Sequence, residues 1–405
     1  MLRHSARALR SVSPARLGGI AASTICRRLS TEVPPSESLL IADPRGLRVV
    51  DLNRPKALNA LNAEMIATLL PLMQDWQQPK GDVKMIAFRG TGEKAFCAGG
   101  DIRFLREAAL GLEGKTLEMG HDFFREEYTL NHTIGTSRIP VVSLLDGITM
   151  GGGVGLSVHG SVRVATENTL FAMPETGIGF FPDVGGTYFL PRLRGKLGMY
   201  LGLTGARLTG REVVAAGVAT HFVPEALLPT LEGMLMEFAS RPGQIDADVL
   251  SAAISTLDQL DSGKVAARPT FLDEHAAQID ECFGQPDVPS IVAAVAGAGF
   301  AAIDAADGDK HWAVRASKEL RRASPTSLAV THEALLRGGA AASLGECLQM
   351  EFRMSQRFLL HPDMASGIGA VLTKGAEPAL WAAAPSRDVV EEFFAAGSGG
   401  DLHLP

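Results

Sequence analysis

The chain has 405 residues, of which 46% are apolar and 20% charged. That composition belongs to globular proteins with a sizeable core and excludes collagen-like and intrinsically disordered classes. A net charge of −7 leaves no general excess of Lys and Arg for gripping a phosphate backbone.

Residues 1–31 hold six Arg, five Ser and no acidic residue, and the first acid is Glu32. An Arg-rich, Ser-rich, acid-free leader has the pattern of a mitochondrial transit peptide, and the continuous apolar run of a secretory signal is missing. We therefore expect residues 1–31 to address the protein to the mitochondrial matrix and to be removed near Arg28, Leu29 and Ser30. Their loss would take the net charge from −7 to −13.

Residues 38–224 alternate short apolar runs with glycine-rich turns. Segments 48–52, 85–90, 140–147 and 162–166 read as buried strands, and 62–76, 123–134 and 152–159 as helices between them. This alternation predicts an α/β fold with helices covering the sheet. From about residue 227 strand patterns stop, and 289–306, 309–322 and 341–360 carry helical spacing. The expected division is a leader at 1–31, a core at 32–226 and a helical C-terminal domain at 227–405. The weakly polar stretch 139–160 contains Asp146, His159 and six glycines, which makes it a poor membrane-spanning helix. Four cysteines (Cys26, Cys97, Cys282 and Cys347) show neither a CxxC pair nor a Cys/His cluster. They offer no disulfide framework and no zinc site.

Three stretches could carry chemistry. In Lys94–Asp101 (KAFCAGGD) a strand leads into a helix through two glycines, so a backbone N–H at the helix start could meet a developing negative charge. Cys97 has no paired His and reads as a packing residue. In Gly147–Gly155 (GITMGGGVG) three successive glycines cost helix stability of about 1 kcal/mol each relative to Ala. Their presence points to close approach of a ligand or another backbone. Neither GxGxxG nor a P-loop can be read from them, and Gly155–His159 ends in His where a serine-hydrolase elbow needs Gly. In Met173–Thr187 two carboxylates, Glu175 and Asp183, sit in an apolar glycine-rich loop with Phe180, Phe181 and Pro182. Burial there would raise a carboxyl pKa. The plainer reading makes Asp183 the cap of a helix over 185–190.

In this order and spacing, the three stretches together with Asn53–Leu61 (NRPKALNAL) resemble the crotonase, or enoyl-CoA hydratase/isomerase, superfamily. The Arg125–Tyr128 run (REEY) and Ser324–Leu328 (SPTSL) resemble its subgroup of 3-hydroxyisobutyryl-CoA hydrolases. The resemblance implies a crotonase-like ββα spiral core over 32–226, an acyl-CoA-binding catalytic unit, followed by the helical domain. It implies that the N–H groups of Gly100 and Gly152 form an oxyanion hole for a thioester oxygen, and that 53–61 contacts CoA. Hydratases carry one catalytic Glu shortly after the triple glycine and a second in the later loop. Here the first position is Gly155 and the second is Glu175. Glu175 and Asp183 are then the catalytic pair, and Glu127 a substrate contact together with Gly152, Glu175 and Asp183.

The activity implied is thioester hydrolysis in valine breakdown, with Glu175 either activating water or attacking directly. Asp183 would bind the substrate hydroxyl or position water. CoA enters as part of the substrate, and no metal or other cofactor, membrane or nucleic-acid partner is expected. The resemblance leaves two states open, a homo-oligomer, since crotonase relatives are often trimers or paired trimers, and a monomer whose C-terminal helices cover its own pocket. Two alternatives stay open: another hydratase or isomerase of the superfamily, and a hydrolase-like structural component of the mitochondrial small ribosomal subunit.

Overall fold

The apolar runs form strands because they have two faces to bury. In the strand Met85–Gly90, Met85 and Ala87 enter one buried cluster while Ile86 and Phe88 enter another. That two-residue period is the pleat of a sheet covered on both sides. A computed structural model describes residues 36–79, 81–262, 270–303 and 311–405; the expected leader and Cys26 lie outside them.

Strands β1 (Leu39–Ala42), β2 (Leu47–Leu52) and β3 (Met85–Gly90) flank helix α1 (Ala63–Trp76) in the chain. Next come β4 (Ala95–Cys97), α2 (Ile102–Leu110), α3 (Leu117–Gly135), β5 (Val141–Leu145), β6 (Ile148–Met150) and α4 (Gly152–Gly155). They are followed by β7 (Val162–Ala165), β8 (Leu170–Ala172), α5 (Gly186–Phe189), α6 (Leu197–Thr204), β9 (Leu208–Thr209), α7 (Arg211–Ala215) and β10 (His221–Phe222). The larger sheet has the order β1-β2-β3-β5-β7-β10 and the smaller β4-β6-β8-β9. Only β1 and β9 run antiparallel to their neighbours.

Three times the chain passes from a large-sheet strand to a small-sheet strand and then into a helical turn. The passages are β3–β4–α2, β5–β6–α4, and β7–β8 followed by the 3-10 turn Glu175–Ile178. This is the expected ββα spiral. Because β4, β6 and β8 are parallel neighbours, the segments leaving their carboxyl ends come together. Ligands commonly bind at such strand ends.

Beyond β10 the described elements are helices: α8 (Leu228–Ser240), α9 (Ala247–Ser262), α10 (Phe271–Phe283), α11 (Val288–Ile303) and α12 (Trp312–Arg322). The remainder are α13 (Pro325–Ala340), α14 (Leu344–Leu360), α15 (Pro362–Leu372) and α16 (Arg387–Glu392). Leu231 and Leu235 of α8 and Leu250 and Ile254 of α9 cover one face of the large sheet. Residues of α10 to α15 join α1, α3 and the small sheet in one continuous apolar core. Two boundaries differ most from the sequence reading. Helix α3 begins at Leu117, where Thr116 accepts the Met119 N–H at 3.3 Å. The expected helix 152–159 stops at Gly155, since its glycines support only one turn.

Candidate active site

The turn after β4 is gripped by the segment 53–61. The Leu61 N–H donates to the Gly99 carbonyl and the Asp101 N–H to the Leu61 carbonyl, each at 2.8 Å. Asn59 is buried, with its Nδ2 donating to the Thr91 and Ala95 carbonyls at 2.9 and 2.8 Å. Arg54 pairs with Asp101 at 3.3 Å, and Asp101 accepts the Phe104 N–H at the start of α2. Cys97 is fully buried beneath this turn, and burial pushes its thiol up to about 12. It packs, as expected, and is no nucleophile.

The turn after β6 comes against it. Gly151 takes φ +46°, a conformation that favours glycine. A Cβ on Gly152 would stand 3.2 Å from the Gly100 nitrogen and 2.7 Å from Glu127 Oε1. The N–H groups of Gly100 and Gly152 have no acceptor among the described residues. Two amides without an acceptor among the described residues thus lie close together just ahead of α2 and at the start of α4.

Three carboxyls meet at that place. Glu175 leaves β8, and its Oε1 would lie 3.1 Å from a Cβ on Gly151. Glu127 comes from the inner face of α3. Asp183 follows Phe180 and Phe181, whose rings pack on Phe358 of α14 at 5.5 and 5.4 Å, with Phe180 also stacked on Phe124 of α3. Glu127, Glu175 and Asp183 are 2%, 6% and 6% exposed. Burial, then the Asp183 charge, raises Glu127 and Glu175 well above the ordinary carboxyl range. Burial raises Asp183 to about 7, against the Tyr128 hydroxyl, which donates to its Oδ2 at 2.9 Å and draws it down. Glu127 Oε1 and Glu175 Oε2 have no hydrogen-bond partner among the described residues. The structure therefore brings together all five residues picked from the sequence: Gly100, Glu127, Gly152, Glu175 and Asp183.

The Asp183 side chain does not cap the next helix. Glu351 of α14 does so, although it lies 166 residues from Gly185. Its Oε2 accepts the Gly185 N–H at 2.7 Å, and its Oε1 accepts the Thr187 N–H and hydroxyl at 2.9 and 2.6 Å. With that donor pair taken, the Asp183 carboxyl turns toward Tyr128. His159, read as a helix-end residue, donates from Nε2 to the Val184 carbonyl at 2.7 Å, and burial holds it neutral with a pKa lowered to about 4.

Sequence reasoning missed Tyr128, Asn131 and Glu351. Tyr128 stood inside the REEY run beside Glu127. Asn131 follows Glu127 by one helical turn, a spacing that puts both on one face. Glu351 carried no local signal beyond an acid flanked by Leu348 and Phe352. Among the described residues no group of three or more His, Cys, Asp or Glu is placed to hold a metal ion. No helix there is long and apolar enough to cross a membrane.

The enoyl-CoA hydratase/isomerase family profile matches residues 47–396. A mitochondrial 3-hydroxyisobutyryl-CoA hydrolase of Gallus gallus is 44% identical over 88% of this chain and 87% of its own. That of Danio rerio is 46% identical over 85% of each. The crystal structure of a carnitinyl-CoA dehydratase from Mycobacterium thermoresistibile superposes with a TM-score of 0.77 at 34% identity, covering 90% of this chain and 98% of that one. The chain belongs to the enoyl-CoA hydratase/isomerase family.

Proposed function

We propose that this protein hydrolyses the thioester of 3-hydroxyisobutyryl-CoA to 3-hydroxyisobutyrate and CoA, and that it does so in the mitochondrial matrix. The relatives at 44–46% identity, named mitochondrial 3-hydroxyisobutyryl-CoA hydrolase, support both the substrate and the organelle. The acid-free leader supports import.

The Gly100 and Gly152 N–H groups bind the thioester oxygen and take up the charge that grows on it, each donor being worth about 3–4 kcal/mol. Glu175, made basic by burial and by the neighbouring Asp183, removes a proton from water as the water oxygen attacks the carbonyl carbon. The tetrahedral intermediate collapses, the C–S bond breaks, and Glu175 returns the proton to the sulfur. Asp183, oriented by Tyr128, accepts the hydrogen of the substrate hydroxyl. These steps use the chain's own groups and water, and CoA enters only as part of the substrate.

The observation that favours hydrolysis over hydration is the close packing of Val184 against Gly155. A Cβ there would stand 2.6 Å from Val184 Cβ and 2.8 Å from Asn131 Nδ2. The glutamate that hydratases carry at this first position, shortly after the triple glycine, would collide with Val184. A purely structural subunit would have no use for three mutually repelling carboxyls buried beside two unpaired amides. The test is release of CoA thiol from 3-hydroxyisobutyryl-CoA, followed with a thiol-reactive dye, beside loss of enoyl absorbance from crotonyl-CoA. Thiol release with negligible hydration is expected, and Glu175→Gln should cut it by about 10²–10⁴-fold. Rapid hydration without thiol release would overturn the proposal.

A further inference from the structure

Of the buried side-chain atoms left without a hydrogen-bond partner among the described residues, several line a single turn. Glu175 lies against Gly151, Glu127 against Gly152 and Asn131 against Gly155. The first two belong to the machinery above. Asn131 does not, yet it is 0% exposed and both its Nδ2 and its Oδ1 are unpaired. Leaving one such buried group unpaired carries a large desolvation penalty, so a protein keeps one where a ligand completes it.

Its position says which part of the ligand. Asn131 sits one helical turn beyond Glu127 on α3, and its Nδ2 would stand 2.8 Å from a Cβ on Gly155, a place that Val184, the residue following Asp183, also approaches. Gly152, whose N–H awaits the thioester oxygen, lies at the other end of α4, three residues or about 4.5 Å away along the axis. A hydroxyl offers one proton and two lone pairs, whereas an ionised carboxylate only accepts. Above about pH 7, where the raised Asp183 carboxyl has ionised, it can take the proton but gives nothing back to the oxygen. The Gly100 and Gly152 amides are committed to the thioester.

We infer that the Asn131 side-chain amide is the donor half of the 3-hydroxyl site, with Asp183 as its acceptor half. Asn131 is thereby a specificity-determining residue. The inference rests on the hydrolase reading for the identity of the substrate, but its test does not require turnover. Dethia analogues of 3-hydroxyisobutyryl-CoA and isobutyryl-CoA, with CH₂ in place of sulfur, keep the carbonyl and cannot be hydrolysed. Isothermal titration would give Kd for both with the wild type, Asn131→Ala, Asn131→Leu and Asp183→Asn.

The wild type should prefer the hydroxylated analogue. Each Asn131 variant should lose about tenfold of that preference, the scale of one hydrogen bond, with little change in affinity for the plain analogue. Equal weakening for both analogues, or an unchanged preference, would overturn the inference. Should both Asn131 variants prove unfolded by circular dichroism, a crystal of the wild type with the hydroxylated analogue decides. The hydroxyl oxygen must then lie within about 3.2 Å of Nδ2. Absence of thiol release from the true ester, by contrast, would count against the hydrolase reading and leave the preference measurement standing.

Discussion

Gly152 combines two requirements that one substitution separates poorly. Its N–H, proposed to meet the thioester oxygen, has no acceptor among the described residues, and its missing side chain leaves room for Glu127 Oε1, 2.7 Å from where a Cβ would stand. Gly152→Pro removes the donor and adds bulk, and proline is tolerated at the first position of a helix, so folding should survive. Turnover should fall by at least about 10²-fold, the usual scale for one oxyanion donor. Gly152→Ala keeps the donor and adds bulk alone, so the difference in kcat between the two isolates the N–H. Equal rates in the two folded variants would remove Gly152 from the hole. These glycines were legible because a GGG run at the start of a helix is costly and local. Glu175 and Asp183 were legible because both stand in one short loop. Asn131 was not, because a lone amide on a helix announces nothing until Val184 and Gly155 are seen beside it.

At the scale of elements, the alternation of strand and helix could be read because Val- and Ile-rich runs with two buried faces differ in period from helices. The small sheet could not, since β4, β6 and β8 have three residues each and no periodicity to show. Nor could the reach of α14 into the acid loop. Glu351 is 0% exposed and satisfies two N–H groups and a hydroxyl of the Asp183 loop from 164–166 residues away. A C-terminal helix therefore sets the shape of the loop that follows β8. Glu351→Ala strands those donors, so the urea midpoint should fall by the equivalent of about 2–4 kcal/mol. Glu351→Gln keeps an oxygen for Thr187 but sets an NH₂ against the Gly185 N–H, and should fall between wild type and Ala. An Ala variant that unfolds at the wild-type midpoint would mean that the loop holds its shape without α14.

The whole molecule keeps four carboxyls in one buried region, and this has a consequence for stability. Burial raises Asp183 to about 7 and Glu351 to about 8, and raises Glu127 and Glu175 well above the carboxyl range. Each therefore holds a proton in the folded chain at a pH where the unfolded chain has released it. Where the folded state binds more protons, stability falls as pH rises, by up to about 1.4 kcal/mol per pH unit for each such group. Buried histidines act the other way. His159, His221 and His332 are all lowered by burial, so they favour the folded state as pH rises toward the ordinary histidine range. Above about pH 7 that gain is complete, because these histidines are then neutral in both states. The carboxyls then titrate, joined toward pH 8.5 by the buried thiols of Cys97 and Cys347, whose pKa burial raises and which act in the same direction, so the urea midpoint should fall steadily from pH 7 to 8.5. Glu127 Oε1 has no partner among the described residues, and Glu127 shares its space with Asp183. Glu127→Gln should accordingly flatten the decline and raise the midpoint at pH 8.5, while turnover drops if Glu127 makes the substrate contact proposed for it. A midpoint that held constant or rose over this range would show that the three-acid cluster is ionised in the folded protein without cost, and the raised basicity invoked for Glu175 would go with it.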